Sequence, residues 1–251
     1  MNNTTQIKKN YRFIKVQKLV VVSILIGFLS AFLGVILKNT TEYYEEIFFH
    51  QTVVNPIFLV VFPVFGLSII YFLREYLFKK KENKGIKEVF ESTNSNSKNL
   101  PSYKIPSHFI NGLLTVVFGG STGIEVSTVV ASATIGSVAQ RKQNVFRQYK
   151  TELICAGVAA GITALFSSPI AGVLFAIEVL LVDVSISAFT PIMISAATGA
   201  LVSAIVLDET ILLSFKKQEA FNYHNIPFYV ILGILTGFIA VYYARNFQRV
   251  E

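Results

Sequence analysis

The chain has 251 residues, of which 53% are hydrophobic and only 15% charged, with a mean hydropathy of +0.56. Soluble domains carry about 25% charged residues, so the composition excludes an ordinary soluble protein and indicates an all-α, polytopic membrane protein. The net charge of +7 does not point to nucleic acid, because the basic residues cluster just outside apolar runs, where they set topology. The single cysteine, Cys155, lies in an apolar run and implies neither a disulfide framework nor a cysteine metal site. His50, His108 and His224 are far apart in sequence, and no metal or cofactor is assigned to them.

Residues 1–18 are polar and basic, with Lys8, Lys9, Arg12, Lys15 and Lys18 and no acid. The apolar run Leu19–Leu37 follows directly; it matches the roughly 20 residues that cross a bilayer and is read as a retained first span rather than a cleaved signal. The basic segment places the N-terminus in the cytoplasm. Residues 38–55, with Glu42, Glu45 and Glu46 against Lys38, read as an external loop, and Pro56–Phe78 as the second span. Residues 79–104 are rich in lysine and read as cytoplasmic, with Glu91–Lys98 as a flexible stretch.

Beyond Lys104 the apolar segments shorten. Ile105–Phe118 and Val126–Val138 would each reach only about 20 Å as helices, too little to cross a core of about 30 Å upright. After the basic stretch Arg141, Lys142, Arg147, Lys150 comes a second interrupted pair, Leu153–Phe166 and Ile170–Val182. Ser167-Ser168-Pro169 divides it and predicts a helix start, with serine as N-cap and Pro169 at the first helical position. Phe189–Leu207 reads as a span, residues 208–219 as a polar loop, and Phe228–Tyr243 begins a last span.

Broken helices survive at membrane depth only where protein buries them or water lines them. Transporters use such half-helices to aim N-terminal dipoles at anions near the midplane. The first break, Gly119-Gly120-Ser121-Thr122-Gly123-Ile124-Glu125-Val126-Ser127, also carries a carboxylate. A charge at mid-bilayer costs about 2.5–3.5 kcal/mol on insertion scales, so Glu125 is expected to have a task. Alone, it also suits a capping acid at a helix N-terminus. No paired acids at a catalytic spacing, no Ser/His set and no metal-ligand cluster point to an enzyme.

The break from Gly119 to Ser127 resembles the second signature of the ClC chloride channels and proton/chloride exchangers, G-x-E-G-P or G-x-E-x-P behind a glycine-rich lead. The run from Ala156 to Glu178, AGVAAGITALFSSPIAGVLFAIE, is similar to the family's next two helices in order and spacing. The resemblance starts near residue 18 and covers the first half of the family's inverted-repeat fold, with tilted and broken helices; a complete member would be about double this length. The domain organisation it implies is a cytoplasmic basic N-terminus, 1–18, and a ClC-type transmembrane domain, 19–251.

In the family the glutamate of this signature occupies an anion site and swings away when protonated or displaced. The resemblance therefore implies that Glu125 is the gate, with Gly123, Ile124, Glu125 and Val126 in the anion site. The family's first signature, G-S-G-I-P, has its best counterpart in Asn83-Lys84-Gly85-Ile86-Lys87-Glu88, so Gly85 and Ile86 are assigned to the same site. Lysine replaces the serine and the proline there, and Lys84 either contacts the anion or faces cytoplasmic water. Ser127 stands where the second signature has its final proline. The residue after Glu178 is Val179, where proton-coupled members often carry an inner acid, and Glu178 itself is expected to be paired within the bundle.

The implied function is a chloride channel of the plasma membrane, gated by a glutamate, forming a homodimer with Ile170–Val182 and Phe189–Leu207 at the interface. Chloride is the transported ion and the lipid bilayer the other partner. A proton/chloride antiporter and an inactive truncated fragment are the alternatives. The family's third signature and its ion-coordinating tyrosine are not in this chain.

Overall fold

The computed structural model describes residues 3–78, 84–95, 99–142, 148–180, 186–207 and 223–250. The described residues form α1 (Asn3–Val54), α2 (Phe58–Phe72), α3 (Ile86–Asn94), α4 (Lys104–Val117), α5 (Glu125–Lys142), α6 (Lys150–Phe166), α7 (Pro169–Leu180), α8 (Ile186–Leu207) and α9 (Ile226–Val250). Residues Leu73–Leu77 extend α2 by a π-helical turn. Among the described residues, four helical stretches are long and apolar enough to cross a membrane: Val16–Val53, Phe58–Leu77, Phe189–Val206 and Tyr223–Phe247. Of the residues used in the sequence reading, Lys79, Lys80, Lys81, Asn83, Lys98, Arg147, Val182 and the polar loop 208–219 lie outside the described residues.

Three helices differ from the sequence reading. Helix α1 runs unbroken to Val54, so residues 38–54 are helical rather than loop. Glu42, Glu45, Glu46 and Lys38 are good helix formers, and the helix ends only ahead of Asn55-Pro56, where Ile57 N donates to Asn55 Oδ1 at 3.2 Å. Helix α5 has 18 residues rather than the 13 of its apolar core. Its hydroxyls do not interrupt it: Ser127, Thr128, Ser132, Thr134 and Ser137 are buried by neighbouring helices, and Thr134 Oγ1 donates back to the Val130 carbonyl at 2.7 Å. The stretch expected to be flexible begins helical as well, since Glu91–Asn94 is the last turn of α3.

The chain divides into two compact units, residues 1–212 and 213–251. In the first, α6 is the central helix and packs on α1, α5, α7 and α8. Its residues from Leu153 to Leu165 are buried on every face. Such a helix needs small residues where backbones cross. A Cβ at Gly157 would overlap the Ser132 carbonyl oxygen of α5, and one at Gly136 would overlap the Leu153 carbonyl oxygen of α6. On the other side of the core, Ser195 Oγ of α8 donates to the Ser23 carbonyl of α1 at 2.6 Å. Helix α7 starts where the sequence places it: Pro169 is its first residue, and Ala171 N donates to Ser168 Oγ at 3.4 Å. The second unit holds a short 3-10 turn and α9. Within that unit a Cβ at Gly233 or Gly237 would meet nothing within 4 Å.

Basic residues at the end of α5 and the start of α6 also tie the loop after α3 to the bundle. Arg141 Nη2 donates to the Leu100 carbonyl at 3.0 Å, and Lys150 Nζ donates to the Ser95 carbonyl at 2.8 Å. Leu100 N donates to Ser137 Oγ at 3.3 Å, which sets the start of α4 against the last turns of α5.

Candidate functional site

Glu125 is the first residue of α5. The first intrahelical bond there runs from Thr128 N to the Ile124 carbonyl, at 2.9 Å. The N–H groups of Glu125, Val126 and Ser127 precede that bond, as the first donors of any helix do, and point out of its positive end. Gly123 has φ +67°, the left-handed region, which turns the chain into α5. The Glu125 carboxylate folds back over this turn and occupies the place a Cβ on Gly123 would take.

The start of α3 lies beside the start of α5. Gly85, its N-cap, has φ +60° and ψ −138°, and a Cβ there would sit 3.6 Å from Val126 Cγ1. Glu88 N donates to the Gly85 carbonyl at 3.3 Å, leaving the N–H groups of Ile86 and Lys87 ahead of the first bond of α3. The structure thus brings Gly85 and Ile86 to Val126 at one place, where two helix N-termini meet beside one carboxylate. Glu125 and Val126 are exposed there, and Gly123 and Ile124 half-buried. Lys84 is exposed, and its backbone N–H donates to Glu88 Oε1 at 3.2 Å.

A group of charged residues not singled out in the sequence lies behind this turn. The other carboxylate oxygen of Glu88, Oε2, pairs with Lys104 Nζ, joining α3 to the first residue of α4. Lys104 is only 3% exposed. Removing one member of a buried pair strands the other and costs about 3–5 kcal/mol. Lys104→Met is therefore expected to lower the thermal unfolding temperature of the purified chain in detergent markedly, with Glu88→Gln restoring most of the loss in the double variant. The available signal is Lys104 and His108, spaced i, i+4 and so on one face of α4.

Glu178, expected to pair within the bundle, is instead exposed on α7. The buried residues of α7 are Gly172, Val173, Ala176 and Leu180, and Glu178 falls on the other side of the helix. Val179 is half-buried against the main core. Among the described residues no group of His, Cys, Asp and Glu could hold a metal ion.

The first unit is thus a helix bundle in which the N-termini of α3 and α5 lie side by side, with the Glu125 carboxylate folded over Gly123. The Voltage gated chloride channel family matches residues 65–251, and the chain belongs to that family, the ClC proteins. It is 25% identical over 249 residues to an uncharacterised protein of Methanocaldococcus jannaschii, covering 96% of this chain and 58% of that one. It is 27% identical over 162 residues to a chloride/fluoride channel protein of Pseudomonas syringae pv. tomato, covering 63% of this chain and 33% of that protein. The fold matches a crystal structure of a CLC-type fluoride/proton antiporter with a TM-score of 0.74 and 25% identity, over 89% of this chain and 55% of the other. It also matches a slow cyanobacterial chloride/proton antiporter with a TM-score of 0.69 and 20% identity, over 88% and 54%. The chain spans about half the length of the relatives it matches.

Proposed function

We propose that this chain forms a glutamate-gated pathway for chloride across the plasma membrane, with its N-terminus in the cytoplasm. The observation that carries the reading is the Glu125 carboxylate folded over Gly123 where the N-termini of α3 and α5 converge. N–H groups and helix dipoles favour an anion there without a full positive side chain. A carboxylate is itself an anion and holds the place the transported ion would take. Protonation of Glu125 removes its charge and its claim on that place. Val179, apolar at the position after Glu178, favours passive conduction.

Glu125→Gln tests this reading. In liposomes carrying the chain, chloride efflux is expected to rise and to lose its dependence on pH. An efflux unchanged in size and in pH dependence removes Glu125 as the gate. Proton-coupled exchange is the second reading, favoured because both solved structures described above are proton antiporters, one of them for fluoride. A chloride or fluoride gradient that drives protons uphill would establish it in place of the channel. A homodimer is part of the proposal, supported by apolar residues exposed on α7 and α8, including Ile170, Leu174, Met193 and Leu201. A monomeric mass in detergent and in lipid nanodiscs would overturn that part.

A further inference from the structure

Helices α1, α4 and α5 frame an open groove of about 360 Å³, within the range of about 300–1,000 Å³ that ligand pockets occupy. From α1 the groove takes Val22, Leu25, Ile26 and Leu29, and from α5 it takes Ile135, Val138, Ala139 and Lys142. Both sets have the i, i+3, i+4, i+7 spacing of a single helix face. Ile26 and Ile135 belong to the buried cluster behind the groove, and Leu25 and Leu29 are exposed at its rim. The walls are apolar except for Lys142.

The two faces run antiparallel. A Cβ on Gly34 of α1 would meet Thr128, near the start of α5, whereas Ile26 and Ile135 share a cluster further along α5. Lys142, the last residue of α5, therefore falls at the Val22 end of the groove. One turn before Val22, on the same face of α1, stands Lys18. Lys18 directly precedes the apolar run Leu19–Leu37, so this end of the groove lies where the apolar layer gives way to headgroups. Both lysines are exposed, and among the described residues neither has a hydrogen-bond or ion-pair partner. Arg141, next to Lys142, is instead held by the Leu100 carbonyl.

We infer that this groove is a binding site for one anionic phospholipid, with an acyl chain along the α1 and α5 faces and the headgroup phosphate between Lys18 and Lys142. Apolar walls offer water no hydrogen-bond partners, and hydrocarbon fills them without loss. Basic pockets between membrane helices attract anionic headgroups. The groove presents its apolar length and its cationic end in the order in which a bilayer presents acyl chain and phosphate. A zwitterionic phospholipid has the same chain but brings a cation of its own to the two lysines. None of these residues belongs to the Glu125 site.

The chain has no tryptophan, so a single introduced one reports on the lipid beside it. Leu29→Trp places it on the rim of the groove, and Leu67→Trp on the exposed face of α2. Each full-length variant is reconstituted in phosphatidylcholine liposomes and quenched with phosphatidylglycerol or phosphatidylcholine carrying brominated acyl chains. At Leu29→Trp phosphatidylglycerol is expected to bind about fivefold or more tightly than phosphatidylcholine, since each lysine near an anionic lipid is worth about 1 kcal/mol. At Leu67→Trp the two lipids should quench equally. Added to Leu29→Trp, Lys142→Gln should cut the preference about fivefold, the worth of one such lysine, and Lys142→Arg should keep it. Ala139→Phe fills the groove and leaves every charge in place, so it should remove a preference that surface attraction alone would retain. Equal quenching by both lipids at Leu29→Trp overturns the site, as does the same preference at Leu67→Trp or one that survives Lys142→Gln in full. A tryptophan at position 29 that neither lipid quenches also overturns it, since protein, such as a second copy of the chain, then covers the groove.

Discussion

Gly123→Ala is expected to raise anion efflux at neutral pH and to flatten its pH dependence, although the substituted side chain carries no charge and no hydrogen-bonding group. Two effects act at this residue. At φ +67° a residue with a Cβ pays about 1–2 kcal/mol. The new methyl would also occupy the volume in which the Glu125 carboxylate now rests. The overlap can be relieved by moving the backbone turn or the far end of a flexible glutamate, and the side chain is the softer of the two. A change to another staggered rotamer moves the carboxylate off the helix N-terminus at little cost. A shift of about 1–2 kcal/mol against the closed position corresponds to a factor of roughly 5–30 in its population. The effect should not add to Glu125→Gln, because both remove the same carboxylate from the same place. An efflux that keeps the size and pH dependence of the unsubstituted chain would show that the carboxylate over Gly123 does not obstruct the pathway.

The second large effect concerns the core. Gly157→Val should abolish recovery of a monodisperse protein from detergent extracts, whereas Gly233→Val should leave it unchanged. The two glycines share the same spacing, each opening a Gly-x-x-x-Gly stretch in an apolar helix. At Gly157 the added atoms would enter the Ser132 carbonyl of α5, and backbone on both sides cannot yield without separating α5 from α6. Overpacking of well-packed cores costs about 1–3 kcal/mol and occasionally more; here the contact is between two helix backbones in the most buried part of the molecule. Gly233 meets nothing within 4 Å in its own unit. Size-exclusion profiles of the two variants, prepared side by side, decide the matter, and a normal profile for Gly157→Val would contradict the packing of α5 on α6.

The same contrast separates what was readable in the residues from what was not. Composition and the lengths of the apolar runs determine that this is a helical membrane protein, since backbone polar groups in lipid must be satisfied within helices. Local chemistry determines several boundaries: Ser168-Pro169 starts α7, and the glycine-rich turn ahead of Glu125 starts α5. The ClC signature around Glu125 and the run from Ala156 to Glu178 led to the family, because both are contiguous stretches. Helix α1 runs on past Leu37 because residues 38–54 hold neither glycine nor proline, and charge alone does not stop a helix.

What only the tertiary structure decided is which faces and which distant segments meet. Lipid is as apolar as leucine, so an apolar helix in this chain does not advertise which side is covered by protein. Glu178 therefore reads as interior from the sequence and is exposed on α7, while Lys104 and His108, polar residues at the head of a short helix, are buried. Gly85 and Val126 are 41 positions apart in the sequence, and no local pattern joins them. Their contact depends on how α3 and α5 pack with α6, and that packing sets two helix N-termini beside the Glu125 carboxylate.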